Sequence, residues 1–262
     1  MKIKAKKSLG QNFLFDKNIL KIISECAPIK NKDILEVGPG TGNLTNEILK
    51  KVPNKLFLIE KDTSLINNLK EKLSGNIIFI NDDILKISEE NLTNNKLTVF
   101  GNLPYNISTE ILTKWILSLN SNVWFEKLIL MFQKEVAERI ISSYNTSNYG
   151  RLSIISNWKL NIEKVIDIKP QSFYPKPKVD SSLLILTPKV KFFKLRNAKT
   201  LERITRIFFN QRRKKIKKPF YQLFDNANEI AERLKIDLNL RPQNLENETY
   251  YLIAQEFEKL KH

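Results

Sequence analysis

The chain has one cysteine and one histidine among its 262 residues, and each scarcity excludes a class of chemistry. Cys26 alone cannot build an internal disulfide framework, and with His262 as the only imidazole there is no Cys/His cluster for zinc. No metal site is expected, and the chemistry must run without either residue type. Long apolar runs are also missing. The longest, Leu128 to Phe132, is far too short to span a bilayer, and the basic N-terminus has no apolar core after it. The expectation is a cytoplasmic protein with no membrane partner. Glycine is sparse at seven residues, three of which fall at alternate positions in one loop.

What is present is enough for a core. A hydrophobic content of 42% in a chain of this length suits one large α/β domain with a smaller appendage. The formal net charge of +16 points to a polyanionic partner, nucleic acid ahead of membrane because no strongly amphipathic anchor stands out. The abundance of Lys, Asn and Ile also suits an AT-rich genome, which accounts for part of that charge. Residues 1 to 8 form a basic arm with Lys2, Lys4, Lys6 and Lys7. Gln11 and Asn12 follow between apolar residues, as in a segment laid over a ligand or another loop. The helical period of Ile19, Leu20, Ile22, Ile23 and Cys26 predicts an amphipathic helix ending before Pro28.

A strand over Asp33 to Val37 runs into Gly38-Pro39-Gly40-Thr41-Gly42, and a helical pattern follows from Leu44 to Val52. Strand, glycine loop and helix make a nucleotide-type turn, in which absent side chains let the backbone approach a ligand. Glycines at alternate positions differ from the dinucleotide spacing and favour a ligand without a pyrophosphate. A second strand, Leu56 to Ile59, ends in Glu60, some twenty residues on, where a carboxylate can accept from ribose hydroxyls. After a helix over Thr63 to Leu73, a third strand, Asn76 to Ile80, leads to Asp82 and Asp83. Either of these can accept from an adenine amine. The alternative is a structural sheet with ordinary acids at its strand ends.

The fourth strand, Leu97 to Gly101, delivers Asn102-Leu103-Pro104-Tyr105. Leu103 precedes a proline and is pushed into an extended conformation, so its carbonyl and the Asn102 side-chain oxygen can both face a pocket beside the Tyr105 ring. Two acceptors and a ring fit an exocyclic amine on a flat base, and accepting both hydrogens aims the nitrogen lone pair at a methyl donor. The structural alternative is a proline-ended strand with a capping Asn and a core Tyr. In a doubly wound sheet this strand lies on the other side of the first, which would set Asn102 beside the glycine loop. Further strands are predicted over 128–132, 163–168 and 183–186, with helices running toward Ile141 and over Arg151 to Trp158. Prolines stiffen the segment Phe173-Tyr174-Pro175-Lys176-Pro177-Lys178, either to hold an aromatic over a pocket or as a linker with its ring packed down.

From residue 189 the pattern turns helical and basic. Residues 190–262 hold 17 Lys or Arg against 9 Asp or Glu, half of the net charge. Arg212, Arg213, Lys214, Lys215, Lys217 and Lys218 supply six cations in seven residues, with aromatics just upstream, and are read as phosphate contacts on structured RNA or else as a solvated helix face.

Seven segments in order, Ser8–Leu14, Glu36–Gly42, Asn81–Leu85, Phe100–Thr109, Phe132–Val136, Tyr149–Ser153 and Phe173–Ser181, resemble the motifs of the bacterial small-subunit ribosomal RNA adenine dimethyltransferase family. The resemblance implies a class I S-adenosylmethionine-dependent methyltransferase fold. Its Rossmann-like seven-stranded sheet would occupy residues 1–188 and a small all-helical RNA-binding domain residues 189–262. It implies S-adenosyl-L-methionine as cofactor and 16S rRNA of the immature small subunit as partner. The reaction would be N6,N6-dimethylation of two adjacent adenosines in a hairpin loop near the 3′ end, by a monomer. Asn12, Leu14, Gly38, Gly40, Glu60, Asp83 and Asn102 resemble cofactor contacts; Asn102, Leu103 and Tyr105 resemble the grip on the target amine, and Phe173 the ring that packs on the target base. Relatives of the same fold include large-subunit (23S) rRNA adenine methyltransferases and transcription factors, and a non-catalytic assembly factor fits the binding features too.

Overall fold

The computed structural model describes residues 5–6, 9–119 and 123–260. Lys2, Lys4 and Lys7 of the expected basic arm, with Ser8 and His262, lie outside the described residues.

The chain opens with a short strand β1 (Phe13–Leu14) and helix α1 (Lys17–Glu25), which Asp16 caps by accepting from the N–H groups of Asn18 and Ile19. Strands and helices then alternate: β2 (Asp33–Val37), α2 (Asn43–Leu49), β3 (Lys55–Ile59), α3 (Thr63–Lys72), β4 (Ile77–Ile80), β5 (Leu97–Asn102), α4 (Ser108–Ser118), β6 (Phe125–Gln133) and α5 (Lys134–Ile141). Next come α6 (Arg151–Lys159), β7 (Leu160–Ile168), β8 (Phe173–Tyr174) and β9 (Ser181–Pro188). The remainder is helical, with α7 (Ala198–Phe209), α8 (Lys217–Leu223), α9 (Ala227–Arg233) and α10 (Asn247–Lys259).

Seven strands form one sheet in the order β4-β3-β2-β5-β6-β9-β7. From β4 to β6 every pairing is parallel, and β9 runs antiparallel to β6 with Leu128 opposite Leu186. Strands covered on both faces have to be apolar nearly throughout, which is why β2 is wholly buried and β3 nearly so. The polar exceptions are satisfied: Asp33 accepts from Asn54, Thr93 and Asn95. β6 and β7 each start three residues before the predicted strands, β7 directly from the end of α6. β1 and β8, too short to have been read as strands, pair antiparallel as a separate two-stranded ribbon.

The chain divides into two compact units. The first runs to Lys114 and includes Leu119–Ala137 and Asn161–Pro188; the second takes Trp115–Ser118, Glu138–Leu160 and the described residues from Lys189 onward. The later division falls between Pro188 and Lys189, and the second unit also takes α6. The reason is packing within that unit: Ile154, Ile155 and Trp158 of α6 are buried, and the Tyr251 hydroxyl of α10 donates to the Ile154 carbonyl at 3.0 Å.

Gly42, which opens α2, sits at φ +83, and a Cβ there would lie 2.6 Å from Leu69 Cδ2. Gly42→Ala is expected to cost about 1–2 kcal/mol from the left-handed backbone alone, with Leu69 displaced as well, read as a lower denaturant midpoint.

Candidate active site

The parallel register brings four strand ends to one edge. Val37 pairs with Ile59 and with Gly101, and Ile59 with Ile80, so Gly38, Glu60, Asn81 and Asn102 each lie one residue beyond an aligned position. In an open α/β sheet this edge, where β2 has β3 on one side and β5 on the other, is where ligands bind. A cavity of about 270 Å³ opens there. Of the candidate residues, Asn12, Leu14, Gly38, Gly40, Glu60, Asp83, Asn102, Leu103 and Tyr105 all line it.

The glycine loop is a fitted cradle. A Cβ on Gly40 would stand 2.9 Å from the Phe13 ring, and one on Gly38 would face the Asn102 carbonyl at 3.5 Å. Glu60 holds the loop: its Oε2 accepts from the Gly40 N–H at 3.2 Å and its Oε1 from the Asp62 N–H at 2.9 Å. Burial pushes the Glu60 carboxyl up, against the pull of those two N–H donors. The carboxylate keeps lone-pair capacity for a hydroxyl. Asp83 accepts from the Leu85 N–H at 3.0 Å and pairs with Lys61 Nζ at 2.8 Å. The Lys61 bond, with the Leu85 N–H, holds its carboxyl below the usual range. Asp82, the other candidate, accepts the N–H of Asp83.

The N-terminal segment forms one wall, and Asp62 anchors it. Lys6 Nζ reaches Asp62 Oδ1 at 2.8 Å and Gln11 Nε2 reaches Oδ2 at 3.0 Å. Burial works to raise the Asp62 carboxyl, but donation from Lys6, Ser64 and Gln11 outweighs it and holds it far below the usual range. Sequence reasoning missed Asp62, whose signal was its place two residues after the strand-end Glu60. From the other side, Asn102 Nδ2 donates to the Asn12 carbonyl at 2.9 Å. That bond fixes which way the amide points and leaves Oδ1 as the acceptor. Tyr105 is held by its hydroxyl, 2.5 Å from Ser181 Oγ at the start of β9, a fully buried partner no motif spacing revealed.

A model of the ribosomal RNA adenine dimethylase family matches residues 2–259. The chain belongs to that family. A ribosomal RNA small subunit methyltransferase A from Pelagibacter ubique is 63% identical over 261 residues, covering all of both chains. One from a Wolbachia of Drosophila simulans is 40% identical and covers 98% of this chain and 95% of its own. Among solved structures, a dimethyladenosine transferase from Plasmodium falciparum superposes with a TM-score of 0.77 at 29% identity, covering 94% of this chain and 98% of that one. The 23S rRNA methyltransferase ErmE, at 24% identity and a TM-score of 0.68 over 95% of this chain and all of its own, shares the fold. The chain is thus an rRNA adenine dimethyltransferase of class I fold, a fold that uses S-adenosylmethionine, and the cradle at Gly38 and Gly40 with the free acceptor sites on Glu60 fits such a group.

Two expectations for this dimethylase need correction. Phe173 does not line the cavity: it is 2% exposed and packs in the core with Leu14, Leu20 and Leu183, because its register opposite Leu14 turns it inward. The neighbouring Tyr174 is exposed instead. The basic cluster is not a helix face but mainly the turn between α7 and α8, with only Lys217 and Lys218 entering α8. Within it Arg212 is half-buried: Nε donates to Gln243 Oε1 at 3.2 Å, and NH2 to the Ser147 carbonyl, so it staples the loop before α6. Arg213, Lys214, Lys215, Lys217 and Lys218 are exposed.

Glu36 lies beneath the glycine loop, fully buried, and lines the cavity. Burial pushes its carboxyl up to about 8 despite the hydroxyl of Thr45 donating to Oε2 at 2.7 Å, and the nearby Glu60 adds to the rise. A carboxyl whose folded pKa is raised gives its full stabilisation below about 4.5 and loses it as the pH rises through about 8. Wild-type melting temperature is therefore expected to fall across that window. Glu36→Gln, which keeps the Thr45 bond and cannot ionise, should flatten the fall in a pH series of thermal melts.

Proposed function

We propose that this chain transfers two methyl groups to N6 of each of two adjacent adenosines in the hairpin loop near the 3′ end of 16S rRNA, acting on the immature small subunit. The observation that carries this reading is the Asn102 amide, fixed by the Asn12 carbonyl so that Oδ1 accepts, beside the cavity-lining Leu103 and the tethered Tyr105 ring. The curated relatives, all methyltransferases of the small subunit, support the choice of substrate.

When bound, S-adenosylmethionine supplies an electrophilic methyl on a sulfonium. We assign Gly38 and Gly40 to its close approach by backbone, Glu60 to its ribose hydroxyls, Asp83 to its adenine amine, and Asn12 and Leu14 to the wall beside it. Asn102 Oδ1 and the Leu103 carbonyl accept the two N6 hydrogens of an unpaired adenosine, drawing the lone pair out of conjugation and aiming it at the methyl. Tyr105 supports the base by stacking. On gaining a methyl group the N6 nitrogen would become acidic, and the hydrogen bonds to Asn102 Oδ1 and the Leu103 carbonyl, with water, would carry its proton away. No histidine is needed. A monomethylated amine presents one hydrogen instead of two, and one of the paired acceptors suffices for the second transfer. The enzyme is proposed to work as a cytoplasmic monomer, in the compartment where small subunits are assembled.

Labelled methyl transfer to unmodified small subunits, compared with large subunits, tests the substrate, with dimethyladenosine expected in small-subunit RNA alone. Label appearing only in large subunits would refute it. Asn102→Ala is expected to lower kcat by about 10²–10³ while cofactor affinity, measured by calorimetry, stays nearly unchanged.

We assign the exposed cations Arg213, Lys214, Lys215, Lys217 and Lys218 to RNA phosphates, supported by their exposure and density. Neutralising Arg213, Lys214, Lys217 and Lys218 together should flatten the slope of log affinity against log salt by about three. Arg212→Gln should instead loosen the 144–150 loop. An unaltered slope in the fourfold variant would move the RNA surface elsewhere.

A further inference from the structure

The β1–β8 ribbon carries a surface that the cavity does not use. Phe13 pairs with Tyr174 and Leu14 with Phe173, and the Phe15 N–H extends the ladder to the Ser172 carbonyl at 3.0 Å. Side chains alternate across a strand, so Leu14 and Phe173 share one face while Phe13, Phe15 and Tyr174 share the other. Exposure follows this division: 5% and 2% for the inward pair, against 52% for Phe15 and 67% for Tyr174.

Phe13 lines the cavity, and its ring stands against the glycine loop at Gly40. The aromatic face therefore begins at the cavity wall and continues into solvent. Its surroundings are cationic. Lys17, Lys176 and Lys178 are exposed on the same two segments, whereas the nearby acids are engaged: Asp16 caps α1 and Asp180 is paired with Lys169 at 2.7 Å. Exposed rings flanked by lysines, continuous with a site for a flipped base, match the way unpaired nucleotides are held, with bases stacked on aromatic faces and phosphates neutralised beside them.

We propose that Phe15 and Tyr174 form a stacking platform for the unpaired nucleotide next to the adenosine in the cavity. The platform rests on the RNA substrate assigned above and adds to it a second base seat. Where two adjacent adenosines are both modified, one base must be parked while its neighbour reacts. A ring platform accepts either adenosine, methylated or not, because stacking reads a π-face and not a hydrogen-bond pattern.

The test measures methyl transfer to unmodified small subunits by the wild type, Tyr174→Ala, Tyr174→Phe and the Phe15→Ala/Tyr174→Ala double variant, with cofactor affinity by calorimetry. Tyr174→Ala is expected to lower kcat/KM by about tenfold, the double variant further, and Tyr174→Phe to match the wild type, because the ring and not the hydroxyl is used. Cofactor affinity should be the same in all four. In subunits whose rRNA carries an abasic residue beside the target, the wild type should fall to the level of the double variant, and the double variant should lose little more. Wild-type rates in the double variant, a Tyr174→Phe defect equal to that of Tyr174→Ala, or wild-type indifference to the abasic neighbour would each overturn the platform. Failure of the wild type to methylate any small subunit would instead overturn the substrate, and the platform with it.

Discussion

The hydrogen bond from Asn102 Nδ2 to the Asn12 carbonyl joins residues 90 positions apart and gives the site its polarity. An amide side chain offers an acceptor at one end and donors at the other, and an unanchored one would present either to the cavity. Fixing the donor end on a main-chain carbonyl makes the other end an acceptor before any substrate arrives. The neighbouring interactions serve the same bond. Asp62 secures Lys6 and Gln11, so the N-terminal segment stays where its carbonyl is needed, and the parallel register of β2 and β5 sets Asn102 against Gly38. Preorganisation of this kind suits a reaction whose catalyst mainly positions two partners.

The sheet edge was legible from sequence because each part had a local signature. Alternating glycines after an apolar strand, an acid at the end of the next strand and the Asn-Leu-Pro-Tyr turn are short-range patterns, and the parallel sheet then aligns them. The residues that were not legible act through long-range contacts. Ser181 meets Tyr105 across 76 positions, and Asp62 meets Lys6 across 56, so no spacing names either pairing, although Asp62 stands two residues after the strand-end Glu60. Phe173 shows the opposite failure. Residue type and motif placed it on the target base, but register opposite Leu14 decided its face, and a two-residue strand is too short to show an alternation that reveals register.

The basic turn carries a similar lesson. Composition counted six equivalent cations, whereas geometry separates Arg212, whose planar group can bond several carbonyl and amide oxygens at once, from its exposed neighbours. Charge density identified the region; hydrogen-bond geometry divided it into a structural member and candidates for phosphate contact.

The ribbon of β1 and β8 has two paired positions, while the sheet that carries the rest of the site has seven strands. Two short strands hold each other weakly, and segments of that kind open at far smaller cost than a sheet interior. The cavity therefore has a seven-stranded floor and a wall whose own ladder is short, held instead by Leu14 and Phe173 in the core and by the Asn43 amide bonded to the Leu14 carbonyl. Dimethylation consumes two cofactors per adenosine, and the spent one has to be exchanged between the two transfers. A wall held by a few anchors and not by a long ladder is the part of the site whose opening would admit that exchange at the smallest cost.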